Sequence, residues 1–334
     1  MNKVFVKGLL ARVCLQASGY AQRLDGENRL STDPELSKAR LYPIALQACK
    51  DVMEQEGTYV ALKSNFEDIF NNNGISGDVI NAGSESLFEI GYSNNPARGR
   101  IMYTFGIKHT TADNMTTMLQ GSQVGPTPTF FFDYSVKDLR RDITCAQVQL
   151  GAENGVTKES MLGNAPFGIY VGKWDVRKMN EEWRQAAIAT GNAKWMSGIN
   201  VVKARYPQVL LWYAEVMNEL AGPDGDYEGS AGLTARQALA MVHTRAFADA
   251  DKADAEKYIE AIPATKEAMF DAIVDENAWE LAGEGFRKFD LIRWNLLAEK
   301  IQEFKDTYYD ELMNESNPNY YPEKVYFNYT DEPN

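Results

Sequence analysis

Acidic and basic side chains crowd into one stretch near the carboxy terminus, "WELAGEGFRKFDLIRW" at residues 279–294. Glu280 and Glu284 stand four apart there, and Arg287, Asp290 and Arg293 follow at i, i+3 and i+6. Three chemistries use such residues. Two carboxyls about 5 to 10 Å apart can serve as the acid and base of glycoside hydrolysis. A glycine-rich turn before a helix can cradle phosphate, but "GEG" at 283–285 lacks the third glycine and the preceding strand of a dinucleotide loop. The third use is structural. Carboxylates beside arginines stay ionised, whereas a general acid needs its pKa raised. That favours a clasp of Glu280, Glu284, Arg287, Asp290 and Arg293. In it Gly283 and Gly285 allow a left-handed helix end, and Asp290 sits between the guanidinium groups of Arg287 and Arg293. Trp279, Phe286 and Trp294 pack around the corner.

The rest of the chain offers little catalytic material. There is no HExxH, GxSxG or Walker pattern, and two histidines, His109 and His243, cannot furnish a multi-histidine metal site. Cys14, Cys49 and Cys145 form no CxxC pair; Cys14 and Cys49 fall on apolar helix faces and read as buried thiols. "DGDYEG" at 224–229 opens like a calcium loop with Asp224, Asp226 and Glu228, but its twelfth place is Ala235 rather than a bidentate carboxylate, so a solvated turn accounts for it. No catalytic residue, metal or cofactor is expected.

Charge and composition exclude further classes. At 334 residues, 44% hydrophobic and 24% charged, the chain suits a folded globular protein, and a net charge of −13 with no basic stripe argues against nucleic acid. No apolar run reaches the roughly 20 residues of a transmembrane helix. The opening "MNKVFVKGLLARVCLQASGYAQR" has no small-residue cleavage site and begins as a helix.

The elements that must position these residues are mainly helical. Val6, Leu9, Leu10, Val13 and Ala17 recur at helical spacing, as do Leu41, Ile44, Ala45, Ala48 and Val52, and residues 1–59 read as an antiparallel hairpin. In 206–334 the stripes are Val209, Tyr213, Val216 and Leu220; then Leu239, Val242 and Ala246; then Phe270, Ile273, Val274 and Leu281. These pairs are tetratricopeptide-like, although no contiguous repeat is present. Residues 60–205 mix Asn, Gly, Thr, Pro and aromatics over short segments, with only "SLFEIGY" reading as a strand, and a ligand site is expected there.

"IVDENAWELAGEGFRKFDLIRW" resembles the carboxy-terminal signature of the SusD/RagB-like nutrient-binding outer-membrane lipoproteins of Bacteroidetes. "KGLLARVCLQASGYA", "FEDIF" with "ESLFEIGY", "DYSVKDLRRD" and "ARYPQVLLWYAEVMNEL" resemble further family segments in the same order. The likeness spans nearly the whole chain. It departs at Asn277, where the family usually carries arginine, and in lacking the family's lipidated start and upstream helices, so Met1 is expected to open the carboxy-terminal portion of a longer protein.

The resemblance implies one mainly α, SusD-like domain fragment: tetratricopeptide-like pairs around a long loop-rich middle. It implies a binding protein, not an enzyme, on the outward face of the outer membrane, delivering oligosaccharide or another nutrient to a SusC-type TonB-dependent transporter. Aromatic rings stack on sugar faces, and the candidates in the middle segment are Tyr92, Tyr103, Phe105, Tyr170, Trp174 and Trp195. The glycine-bounded settings of Trp174 and Trp195 suit rings held open on loops. The rival readings are a peptide-binding tetratricopeptide scaffold and a glycoside hydrolase.

Overall fold

Helix starts in this chain are marked by side chains that satisfy the first free amides. In the computed structural model, which describes residues 2–70, 83–92, 101–111, 123–178, 181, 185, 199–318 and 320, Asn2 Oδ1 accepts the Phe5 amide at 2.8 Å and opens α1 (Lys3–Ser18). A loop carrying the two-residue strands β1 (Ala21–Gln22) and β2 (Asn28–Arg29) leads to α2 (Lys38–Met53). Lys7 near the start of α1 pairs with Asp51 near the end of α2 at 2.5 Å, so the two helices run antiparallel.

The inward face of α1 is not the expected one. Val6, Leu9, Leu10 and Val13 are exposed, and Phe5, Gly8, Ala11, Cys14, Leu15 and Ser18 are buried instead. Four of these six, Gly8, Ala11, Cys14 and Ser18, are small because α1 lies close against α2 and β3 (Ser86–Ile90). A Cβ on Gly8 would come within 3.0 Å of Leu87. On α2 the expected stripe holds better: Ala45, Ala48 and Val52 are buried, while Leu41 and Ile44 pack at the margin.

The middle segment begins with β3 and continues through α3 (Ile101–Thr104), β4 (Lys108–His109), α4 (Pro128–Asp133) and α5 (Leu139–Thr144). It ends with β5 (Cys145–Ala146), β6 (Val148–Glu153), β7 (Val156–Met161), β8 (Tyr170–Val171) and β9 (Val201–Arg205). It holds more strand than expected. β3 pairs antiparallel with β9, β5 with β8, and β6 forms a hairpin with β7 while pairing parallel with β4. The hairpin turns on Asn154 and Gly155, both at positive φ (54° and 79°), the pair that a tight primed turn favours. Phe66, Ile69, Phe70, Ile107, Leu150, Val171, Trp174 and Ile199 give this region its own core.

The remaining helices are α6 (Tyr206–Ala221), α7 (Ala235–Arg245), α8 (Lys252–Ala261), α9 (Lys266–Leu281), α10 (Arg287–Arg293) and α11 (Leu297–Thr307). Thr234 and Gln237 form a reciprocal capping box at the start of α7, and Thr265 caps α9. Val209, Tyr213, Val216, Leu239, Val242 and Ile273 join Leu15, Leu46 and Val52 in the main core, so α6 is walled in by α1, α2, α7 and α9. Between α9 and α10, Gly283 and Gly285 lie at φ of 79° and 84° and make the expected corner. Among the described residues no helix is long and apolar enough to cross a membrane.

Candidate functional site

Glu276, Glu280 and Glu284 follow one another at i, i+4 and i+8, a spacing that sets them in one row along α9 and the turn beyond it. All three are buried against cations from distant segments. Glu280, with 0% exposure, meets three guanidinium groups: Arg140 at 2.9 Å, Arg245 at 2.5 Å, and Arg205. Arg205 also grips Glu284 with two nitrogens, at 2.8 and 2.7 Å, and Lys173 Nζ donates to Glu284 at 2.7 Å. Glu276 lies between Arg140 and His243 Nδ1, the latter at 2.7 Å. Glu85, just before β3, closes the far side on Arg205 and Arg245 at 3.1 and 3.2 Å. Asp138 caps α5 and holds Arg140 through both carboxylate oxygens.

These partners correct the expected clasp. Glu280 and Glu284 pair with Arg140, Arg205, Arg245 and Lys173, not with Arg287 and Arg293. The cluster ties β3, α5, the segment after β8, and β9 to α7 and α9, so it locks the middle segment onto the helices.

The electrostatics decide what such a cluster can do. Burial pushes the Glu280 carboxyl upward, but Arg245, Arg205 and Arg140 outweigh it and hold the group well below the usual carboxylate range. Burial opposes Arg205 and Lys173 at Glu284 in the same way, with the same net lowering. A hydrolase acid must carry a proton near neutral pH; these two carboxylates do not, and both are sealed from solvent. Burial brings the Lys173 ammonium down to about 8, against the pull of Glu284. Glu85 goes the other way, raised by burial despite Arg245 and Arg205.

Asp290, Arg293 and Glu215 make a second buried knot at the α10 corner. Arg293 donates to Asp290 at 2.7 Å and to both oxygens of Glu215 at 2.6 and 2.8 Å. Asp290 is not held between two guanidinium groups as the spacing suggests. Its other oxygen accepts from Asn277 at 3.3 Å, and Arg287 instead donates to the Val274 carbonyl at 2.6 Å and to Asn277 Oδ1 at 3.3 Å. Asn277, the departure from the expected arginine, thus bridges the two. Trp294 lies against Arg293, 4.5 Å from its guanidinium carbon, and Phe286 under Arg12 at 5.1 Å. Trp279 has left the corner and stands near Tyr134 and His243.

The aromatic candidates separate by exposure. Trp174 is 7% exposed, its ring set edge-on to Phe70 at 5.7 Å and tilted on half-buried Phe105 at 5.6 Å. It packs in the second core and offers little face to a ligand, which replaces the expectation of an open ring. Tyr170 on β8 is half-buried. Tyr92 is 42% exposed, and its amide donates to Asn200 Oδ1 at 3.0 Å while Asn200 Nδ2 donates to Glu89 at 2.9 Å. Phe167, passed over in the sequence, is 43% exposed in the loop before β8. The ring of Tyr103, on α3, and all of Trp195 lie outside the described residues.

The acidic turn before α7 is internally tied: Arg236 takes both oxygens of Asp224 at 2.6 and 3.0 Å, and Asp226 accepts from Tyr227 N and Ser230 Oγ. Among the described residues no group of three His, Cys, Asp or Glu is placed to hold a metal ion.

The sequence pattern of the SusD family matches residues 129–334. The chain is 35% identical over 106 residues to SusD-like protein P25 of Formosa agariphila, which is 32% of this chain and 17% of that protein. A SusD homolog from Bacteroides thetaiotaomicron superposes with a TM-score of 0.68 at 24% identity, over 96% of this chain and 58% of the other. A structure solved with a xylogluco-oligosaccharide superposes with a TM-score of 0.55 at 17% identity, over 91% and 53%. The chain therefore spans less than two thirds of the length of each of these.

Proposed function

The chain belongs to the SusD family, and we propose that it binds glycans, or other nutrients of like chemistry, without catalysing their turnover. The match over residues 129–334 carries this reading, since it includes the α9–α10 corner and most of the buried charge cluster. A protein of the same fold solved with a xylogluco-oligosaccharide supports a glycan as ligand. The ionised, sealed carboxylates of Glu280 and Glu284 favour binding over hydrolysis.

In this reading Tyr92 is the stacking ring. Its backbone is pinned by Asn200, and the residue is 42% exposed, so it is open to a sugar from solvent. Glu89 and Asn200 sit beside it as hydrogen-bonding groups for hydroxyls. Tyr170, Tyr103, Trp195 and Phe167 complete the proposed contacts, with Phe105 and Trp174 supporting them from the core.

The protein works at the outward face of the outer membrane and passes its ligand to a SusC-type TonB-dependent transporter. Affinity purification of the full-length protein from outer membranes tests that partnership. Co-purification of a TonB-dependent barrel in roughly equal amount is the expected result, and recovery of the protein alone under conditions that preserve other membrane complexes refutes it.

A further inference from the structure

None of the eleven residues of α11 is buried, yet both of its ends are fixed. Just before it the Leu296 amide donates to the Leu291 carbonyl at 2.8 Å, and just beyond it Leu312 is 3% exposed. Ile301 and Phe304 lie open at 46% and 38% exposure. The half-buried residues Leu297, Lys300 and Thr307 share the opposite, inner face at i, i+3 and i+10. α11 thus crosses the surface as a strap with little to hold its middle.

The charge that this inner face meets is Asp275 on α9, which acts on Lys300 and is acted on by it. Asp275 is half-buried and forms no ion pair among the described residues. Both nearby cations are engaged elsewhere: Lys300 with Glu303 at 2.8 Å, and Arg287 of α10 with the Val274 carbonyl at 2.6 Å. A second acid, Asp133 at the end of α4, reaches the same face of α9, because Trp279 one turn beyond Asp275 donates Nε1 to it at 2.9 Å. Asp271 on α9, Glu303 on α11 and Tyr258 on α8 complete the titratable surroundings, while His243 of α7 is taken by Glu276.

Burial brings the Asp275 carboxyl up to about 6; Lys300 pulls against that, Asp133 adds to it, Arg287 opposes and Asp271 adds. Once water reaches the group it returns towards the ordinary aspartate value of about 3.9. The covered state therefore binds the proton more tightly, so covering is favoured as pH falls and uncovering rises with pH until it levels off above about 6. α4 is not the element that gives way, since Phe131 is 2% exposed and Tyr134 Oη donates to the Trp279 carbonyl at 2.8 Å. α11, without a buried residue, has no such anchor.

We propose that α11 is a pH-sensitive strap, closed over Asp275 when that carboxyl is neutral and loosened when it ionises beside Asp133. The device is independent of the glycan site around Tyr92.

The test is amide hydrogen exchange of the purified protein, read by mass spectrometry on peptides from 297–307 and corrected for the intrinsic effect of pH on exchange. Protection of α11 is expected to be about tenfold greater at pH 5 than at pH 7.5, with the buried helix α6 as the unchanging reference. In Asp275→Asn the side chain stays neutral, so protection at pH 7.5 rises to about the wild-type level at pH 5 and the difference between the two pH values falls below about twofold. Should Asp275→Asn fail to fold, Asp133→Asn serves instead: it keeps an acceptor for Trp279, removes the like charge, and is expected to make the pH effect smaller. Equal protection of α11 at the two pH values in the wild type overturns the proposal. So does a tenfold effect that persists in Asp275→Asn, one that Asp133→Asn leaves at full size, or one that α6 shares equally.

Discussion

Replacing Glu280 by glutamine keeps the shape of the side chain and removes one charge from the centre of the buried cluster. Arg140, Arg205 and Arg245 all lose their shared counter-ion, and the new amide places two donors where three guanidinium groups already donate. Removing one partner of a buried ion pair costs about 3 to 5 kcal/mol, because the charge left behind stays desolvated. Here Glu85, Glu284 and Asp138 still answer part of the positive charge, which puts the cost at the lower end, about 3 kcal/mol. That is a large share of a typical stability of about 5 to 15 kcal/mol, and for a chain of this size it lowers the melting temperature by roughly 5 to 10 °C. The pH dependence gives a second handle. The folded-state pKa of Glu280 lies below its unfolded value, so its stabilisation is present above about pH 4.3 and drains away as pH falls below that. Glu276 and Glu284 act in the same direction, and Glu85, held above its ordinary value, acts against them. Urea denaturation of wild type and Glu280→Gln, followed by circular dichroism, should show a wide gap at pH 7 that narrows below about pH 4. Equal midpoints at pH 7, with native spectra for both, would refute the view that these arginines depend on Glu280.

Other substitutions separate core from surface. Trp174→Ala should destabilise by about 3 to 5 kcal/mol by opening a cavity beside Phe70 and Phe105, whereas Tyr92→Ala should leave the melting curve in place and weaken glycan binding by roughly 1 kcal/mol in titration calorimetry. On α1, Leu15→Ala should cost about 2 to 5 kcal/mol and Leu9→Asn no more than about 0.5, the reverse of what the larger-residue stripe implies. At the α10 corner, Glu215→Ala should destabilise more than Asp290→Ala, since Arg293 keeps both bonds to Glu215 when Asp290 is lost; about 3 to 5 against 1 to 3 kcal/mol is expected from urea denaturation.

Much of the helical frame was legible in the sequence, because the stripes of α2, α6, α7 and α9 are long and regular. α1 misled for a physical reason. Close helix packing selects Gly8, Ala11, Cys14 and Ser18, so its buried face carries the smaller residues and the louder stripe faces out. The middle segment resisted because strands of two residues, such as β5 and β8, leave no alternation to detect, although Asn154-Gly155 between β6 and β7 was a readable hairpin signal. The glycine before Lys173 and Trp174 suggested a loop, but a Cβ on Gly172 would come within 2.6 Å of the Ile143 carbonyl, so that glycine marks tight packing. The partners of Glu280 lie 35 to 140 residues away, beyond any local pairing rule. The usable clue was Glu276, Glu280 and Glu284 in a single row, a charged stripe that extends along a largely buried helix.

Binding without turnover is tested most directly by electrophoresis of the purified protein through gels containing individual soluble polysaccharides, xyloglucan among them, with reducing ends assayed in the same mixtures. Retardation by at least one polysaccharide, with reducing ends at the level of a protein-free control, is the predicted result. Release of reducing ends that disappears with Glu280→Gln or Glu284→Gln, in variants that remain folded, would contradict it, as would free migration through every polysaccharide offered.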